Sequence, residues 1–180
     1  MNVANLIKKK SYEKVEYVLR RHAFTFIPQI ILFIGSFIFP ILIYLMINNL
    51  FPTLLNNTQL FAAAVLVASI YYLSILLLLY TQFVDFYLDV WIVTNDRIVD
   101  IEQFGLFSRT ISELDLFRIQ DVTADVKGMF ATLFKYGDLL VKTASNNPSI
   151  VFRNIPNPNY VRQHLLELAN SDYRYHRDHP

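Results

Sequence analysis

The side chains capable of chemistry are scattered along this sequence. It holds four histidines and no cysteine, so thiol nucleophiles, thiolate metal sites and disulfides are excluded. The spacing nearest to a metal motif is His176 and His179 beside Asp172 and Asp178, in SDYRYHRDHP. A metal centre needs ligands held in place, and a polar chain end beyond the last apolar helical position does not hold them. His22 stands beside Arg20 and Arg21 without partner ligands. No HExxH, nucleophile motif or glycine-rich phosphate loop occurs. The residues predict no catalytic site, no metal and no cofactor.

The clearest signal is where charge is missing. From His22 to Val84 there is no Lys, Arg, Asp or Glu, within a chain that is 54% hydrophobic and 17% charged. A soluble domain needs charge on its surface, whereas a bilayer segment needs the opposite. Two transmembrane helices are expected, over about 24–47 and 60–80, joined by an external turn over 48–59. Each exceeds the roughly 20 apolar residues that cross a hydrocarbon core. Lys8, Lys9, Lys10, Lys14, Arg20 and Arg21 precede the first helix and the turn carries no cation. The positive-inside rule then predicts a multi-pass protein of the cell (plasma) membrane with both termini cytoplasmic. A cleaved signal peptide is a poor fit, because the apolar stretch is too long and ends at Asn48-Asn49. No ionisable group lies inside either span, which argues against a pump or transporter. Pro28 and Pro40 are expected to interrupt the first helix, with Gly35-Ser36 between them, as breaks of the kind membrane helices tolerate. Ala62, Ala63, Ala64, Ala68 and Ser69 suggest close packing of the second helix on the Gly35-Ser36 patch.

Before the helices, SYEKVEYVLRRHAF is expected to form a short helix within a basic segment, 1–22. After them, over 84–170, the pattern becomes that of strands. VDFYLDVWIV alternates with period two, Asn95-Asp96 suits a hairpin turn, and Gly105 breaks the returning strand. Further strands are expected in RTISELDL, RIQDVTADV, DLLVKTAS and SIVFRNI, with a turn at Asn146-Asn147-Pro148. Gly128 and Gly137 bound a short helical turn, with Tyr136-Gly137 ending it. Val161, Leu165 and Leu168 mark a last helix that Asn157 and Pro158 begin. Residues 171–180 read as a disordered tail. The fold class is therefore α+β: a two-helix transmembrane hairpin, then an antiparallel barrel or curved sheet capped by a C-terminal helix.

Several strings carry a family resemblance. WIVTNDRIV (91–99), GLFSRTISELDLFRIQDV (105–122), LFKYGDLLVKTAS (133–145) and IPNPN (155–159) resemble the bacterial pleckstrin-homology-like domain of small membrane proteins. VLRRH before two spanning helices matches that family's layout. The resemblance implies a non-catalytic binding or scaffolding module at the cytoplasmic face of a bacterial inner membrane. Pleckstrin-homology folds elsewhere bind anionic lipid headgroups near their early strand loops. Arg97, Arg109 and Arg118 are the nearest candidates here, with Lys142 and Arg153 on later strands. The charge balance argues against a strong headgroup site. From Asp85 onward, ten Lys or Arg face thirteen Asp or Glu. Expected partners are the lipid bilayer and another membrane or cytoplasmic protein, met through a sheet edge or a groove beside the terminal helix. The alternatives are a lipid-headgroup module or an accessory subunit of a membrane transport or secretion complex. With a formal charge of +1, nucleic acid is not expected.

Overall fold

The computed structural model describes residues 10, 12–51, 56–143 and 150–178. The chain divides into two compact units, Phe26–Val84 and a second made of Met1–Thr25 with Asp85–Pro180. Each unit has its own logic.

The helical unit consists of α1 (Ile27–Leu50) and most of α2 (Thr58–Leu88). Pro28 does not interrupt α1 as expected but sits in its first turn, where no backbone donor is needed, leaving Pro40 as the proline inside the helix. Asn57 caps α2, its Oδ1 accepting from the N–H groups of Gln59 at 3.0 Å and Leu60 at 3.4 Å. Only Phe33 in α1 and Ile75 in α2 are buried, so both helices present apolar side chains outward along their length. The contact between them is polar at one place. Pro40 lacks the N–H that would bond the Ser36 carbonyl, and the Tyr71 hydroxyl donates to that oxygen at 3.1 Å. Tyr72 donates likewise to the Phe37 carbonyl at 3.2 Å. The expected alanine–glycine packing is absent, since a side chain on Gly35 would meet nothing within 4 Å. Ala63, Ala64 and Ala68 instead line a cavity of about 480 Å³ with Phe39, Pro40 and Tyr71.

The strand expected to start at Val84 starts at Val90, because α2 runs on to Leu88. Phe83 and Tyr87, and Val84 and Leu88, are also four apart, so the same residues satisfy a helix in progress.

The second unit is built from two antiparallel sheets. One has the order β1-β2-β3-β4: Val15–Arg20, Val90–Thr94, Arg97–Phe104 and Ser108–Asp115. The other has the order β5-β6-β7: Ile119–Asp125, Tyr136–Thr143 and Ile150–Pro156. Between β5 and β6 lies the short α3 (Met129–Phe134), and α4 (Pro158–Asp178) closes the chain. The expected N-terminal helix is the strand β1, which pairs with β2 through Val18↔Ile92 and Arg20↔Val90. Its residues alternate as well as any strand's, with Tyr17 and Leu19 turned into the core. Residues 1–22 and 84–170 are therefore not separate, because one sheet takes strands from both.

The core joins the sheets through Trp91 and Phe152, whose ring centroids lie 5.5 Å apart, with Leu116, Leu139 and Ile155 fully buried around them. Val161 and Leu165 of α4 enter it, while Leu168 is half-buried. The His22 N–H donates to the Asn154 carbonyl at 2.7 Å, linking the β1 and β7 sides. The edges β4 and β5 are not hydrogen-bonded, so the expected barrel is an open pair of sheets.

Asn95 and Asp96 turn β2 into β3, and Gly105 takes the left-handed conformation (φ 64°) in the β3–β4 turn. The residue that ends α3 is Lys135 at φ 54°, not Gly137. Gly137 lies within β6, where a Cβ would come 2.6 Å from the Asp125 carbonyl oxygen. The backbone of α4 is helical through Asp178, where a disordered tail is expected. The His176 side chain, His179, Lys8, Lys9 and the Asn146-Asn147-Pro148 turn lie outside the described residues, as does 52–55 of the expected external turn.

Candidate functional site

Antiparallel strands give the sheet unit two ends of different chemistry. At the turn end lie Asn95-Asp96, the 3-10 turn Leu116–Arg118 and the start of β1. At the junction end lie the last residues of β1, the first of β2, the β3–β4 turn and α3. There the chain passes to α1 and returns from α2.

Arg97 belongs to the turn end and is committed to carboxylates. Its Nε and Nη2 donate to Glu13 at 3.0 and 3.1 Å, and its Nη1 donates to Glu113 at 2.6 Å. The Glu13 side chain is fully buried. Burial alone would raise its pKa, but the Arg97 hydrogen bonds, the Lys10 backbone N–H and the Arg97 charge outweigh that and lower it. Asp96 beside Lys10, at 2.6 Å, raises the lysine pKa. Asn95 completes the clamp, accepting from the Lys14 N–H at 2.7 Å and donating to the Tyr12 carbonyl at 3.4 Å. The TNDR string thus grips the segment that leads into β1.

Arg118 is also at the turn end, 3.3 Å from Asp115 with its guanidinium over the Phe117 ring. Arg109 is not. It pairs with Gln103 near the β3–β4 turn, six residues along the ladder from Arg97, which is roughly 20 Å. The three candidate arginines therefore form no single cluster, and only Arg109 stands exposed at the junction end. Lys142 lies on β6 and Arg153, exposed, on β7.

Sequence reasoning missed the buried acids of the junction end. Asp89 pairs with Arg21 and accepts from the Gln103 N–H at 2.8 Å, joining the α2 exit to β3. Burial raises its pKa, and those two partners partly offset the rise. Asp100 sits opposite Trp91 in the β2–β3 ladder. Burial, then the charges of Glu102 and Asp89, push its pKa up to about 7 against the opposing effects of Trp91 and Arg153. Period two along β3 places Asp100 on the inner face with Ile98, a signal visible in the sequence.

Two features offer contact to a partner. From Ser108 to Glu113, β4 is exposed, and among the described strands it is hydrogen-bonded to β3 alone. A groove of about 690 Å³ beside α4 is lined by Thr132, Lys135, Asn157 and Tyr160, among others. Among the described residues no three His, Asp or Glu gather as metal ligands.

A family model described as "Bacterial PH domain" matches residues 23–169. No curated protein matches the sequence. Among solved structures, a DUF1696 family protein with a pleckstrin-homology domain from Shewanella loihica PV-4 matches with 14% identity and a TM-score of 0.36. That match covers 47% of this chain and 70% of the other.

Proposed function

The chain belongs to the bacterial PH domain family, and from that premise we propose that it is a membrane-anchored, non-catalytic binding module of a bacterial inner membrane. The observation that carries this reading is the exposure of two long apolar helices. The most apolar stretches within Ala23–Leu50 and Thr58–Leu88 have mean hydropathies of 2.7 and 2.4 and are 6% and 0% buried. A soluble core helix would be covered, so the bareness of these surfaces supports a place for them in hydrocarbon. The basic residues before α1 favour cytoplasmic termini.

The partner we favour is a protein strand added to β4. An exposed edge offers unpaired N–H and C=O groups, and an added strand satisfies them while its side chains supply specificity. A headgroup site built from Arg97, Arg109 and Arg118 together is less well supported, since the first is held by Glu13 and Glu113 and the third lies with it at the turn end.

Membrane fractionation with an alkaline carbonate wash tests the anchor, and retention in the pellet is expected. A photo-crosslinking residue at Ile111 of β4 tests the edge. One discrete protein adduct is expected there and none with the crosslinker at Asn170 of α4, which is also exposed. Extraction by carbonate would overturn the anchor, and identical adducts at both positions would overturn the edge.

A further inference from the structure

The junction end of the sheet unit carries two apolar projections. One is the β3–β4 turn, where Phe104 is 56% and Phe107 99% exposed. The other is α3, where Met129, Phe130 and Leu133 are 74%, 54% and 68% exposed. Of the exposed phenylalanines described in this unit, only Phe117 lies at the turn end. The fold gives these side chains nothing to cover, since the core is already closed by Trp91, Leu139 and Phe152.

Their placement identifies what covers them. β1 ends and β2 begins at this end, Arg20 opposite Val90, so both crossings to the apolar helices leave from it. The Phe24 ring, just before α1, stacks on Phe134 of α3 at 4.0 Å. On the other side, Asp89 just after α2 holds the Gln103 N–H, next to Phe104. Each projection is thus tied by a short contact to a chain segment entering or leaving a helix. Cations flank both: Arg109 follows the turn and Lys135 follows α3, each exposed. Apolar tips with adjacent basic residues are the composition of an interfacial membrane contact.

We propose that the β3–β4 turn and α3 seat the sheet unit in the headgroup–acyl boundary of the bilayer, so that the unit lies on the membrane as well as being tethered to it. The inference rests on the membrane-anchored reading. It makes Arg109 a surface charge meeting anionic headgroups beside Phe107, not part of a headgroup pocket.

The chain has no cysteine, so single cysteines can be labelled uniquely in the full-length protein. With at most one copy per phosphatidylcholine–phosphatidylglycerol vesicle, an environment-sensitive fluorophore is placed at F107C, L133C, F117C or V67C. Shallow lipid-borne nitroxides are expected to quench the labels at 107 and 133 at least about twofold more than the label at 117, with aqueous iodide showing the reverse order. Deep nitroxides are expected to quench the label at 67, within α2. A label at 67 open to iodide would sink the anchor and the inference with it. Quenching at 67 by deep nitroxide, with 107 and 133 open to iodide, would overturn the inference alone. Labels at 107 and 133 shielded from iodide yet untouched by nitroxide would mean that protein covers this end, and would overturn the lipid contact.

Discussion

A proline inside a helix withholds one N–H, and at Pro40 the carbonyl deprived of its donor is that of Ser36. Tyr71 supplies the replacement from the neighbouring helix. Tyr71→Phe should therefore destabilise the helix pair by about 0.6–1.7 kcal/mol, the range for hydrogen bonds between membrane helices. In a Pro40→Ala background the amide at position 40 recovers the Ser36 carbonyl, and the cost of Tyr71→Phe should fall close to zero. A double-mutant cycle on full-length protein unfolded in bicelles measures both. Asp100 yields a prediction in pH. With its folded pKa near 7 and an ordinary unfolded value, the folded state binds the proton more tightly. Stability is then lost as pH rises from about 4 towards 7 and stays lost above it. Asp100→Asn removes the ionisation and should stabilise the protein at pH 8, by on the order of 2–4 kcal/mol, with the gain vanishing near pH 4. Denaturation midpoints at the two pH values check this. Arg97 shows where a residue's surroundings are not legible in sequence. Its place in a strand loop is readable, but its commitment to Glu13, 84 positions earlier, exists only in the folded chain.

Elements were legible where one periodicity stood alone. α4 shows its helical spacing without competition, and β3 lies between the Asn95-Asp96 turn and the Gly105 turn. The errors fall where two periodicities fit the same residues. VDFYLDV reads as a strand by alternation and as a helix by its four-residue pairs, and continuing α2 costs no new nucleation, so the helix prevails to Leu88. VEYVLR has the opposite outcome, because β2 offers an edge that no local pattern announces. Gly137 tests how closely the second sheet is packed at the α3 connection. A Cβ there would lie 2.6 Å from the Asp125 oxygen, 3.0 Å from Val126 Cγ2 and 3.2 Å from Pro158 Cγ. Gly137→Ala should cost about 1–3 kcal/mol, because a backbone oxygen has to move. Gly105→Ala, with open space around it, should cost only its left-handed strain, about 1 kcal/mol. Thermal unfolding of the two variants side by side separates crowding from conformation.

At the scale of the whole molecule, the helical unit is an insertion between two adjacent strands of one sheet. A fragment starting at Asp85 therefore lacks β1, exposes the Trp91 side of the core where Leu19 packs, and should not fold to a dispersed NMR spectrum. Joining residues 10–25 to 85–178 through a flexible linker of about twelve residues, reaching roughly 17–21 Å, should restore it. The sequence made the helix pair and the domain that follows it readable, since loss of charge and return of alternation are local signals. It did not reveal that one interrupts the other, nor that exposed phenylalanines gather at the interruption, because both depend on contacts between distant segments. The pairing of Arg20 with Val90, seventy positions later, also sets an order in time. During synthesis at about 5–20 residues per second, β1 waits roughly 4–14 s for its partner strand to be made. Both apolar helices lie between them, so the ribosome must deliver both before the sheet can close. Closure of this sheet therefore follows, and cannot precede, synthesis of the whole hairpin.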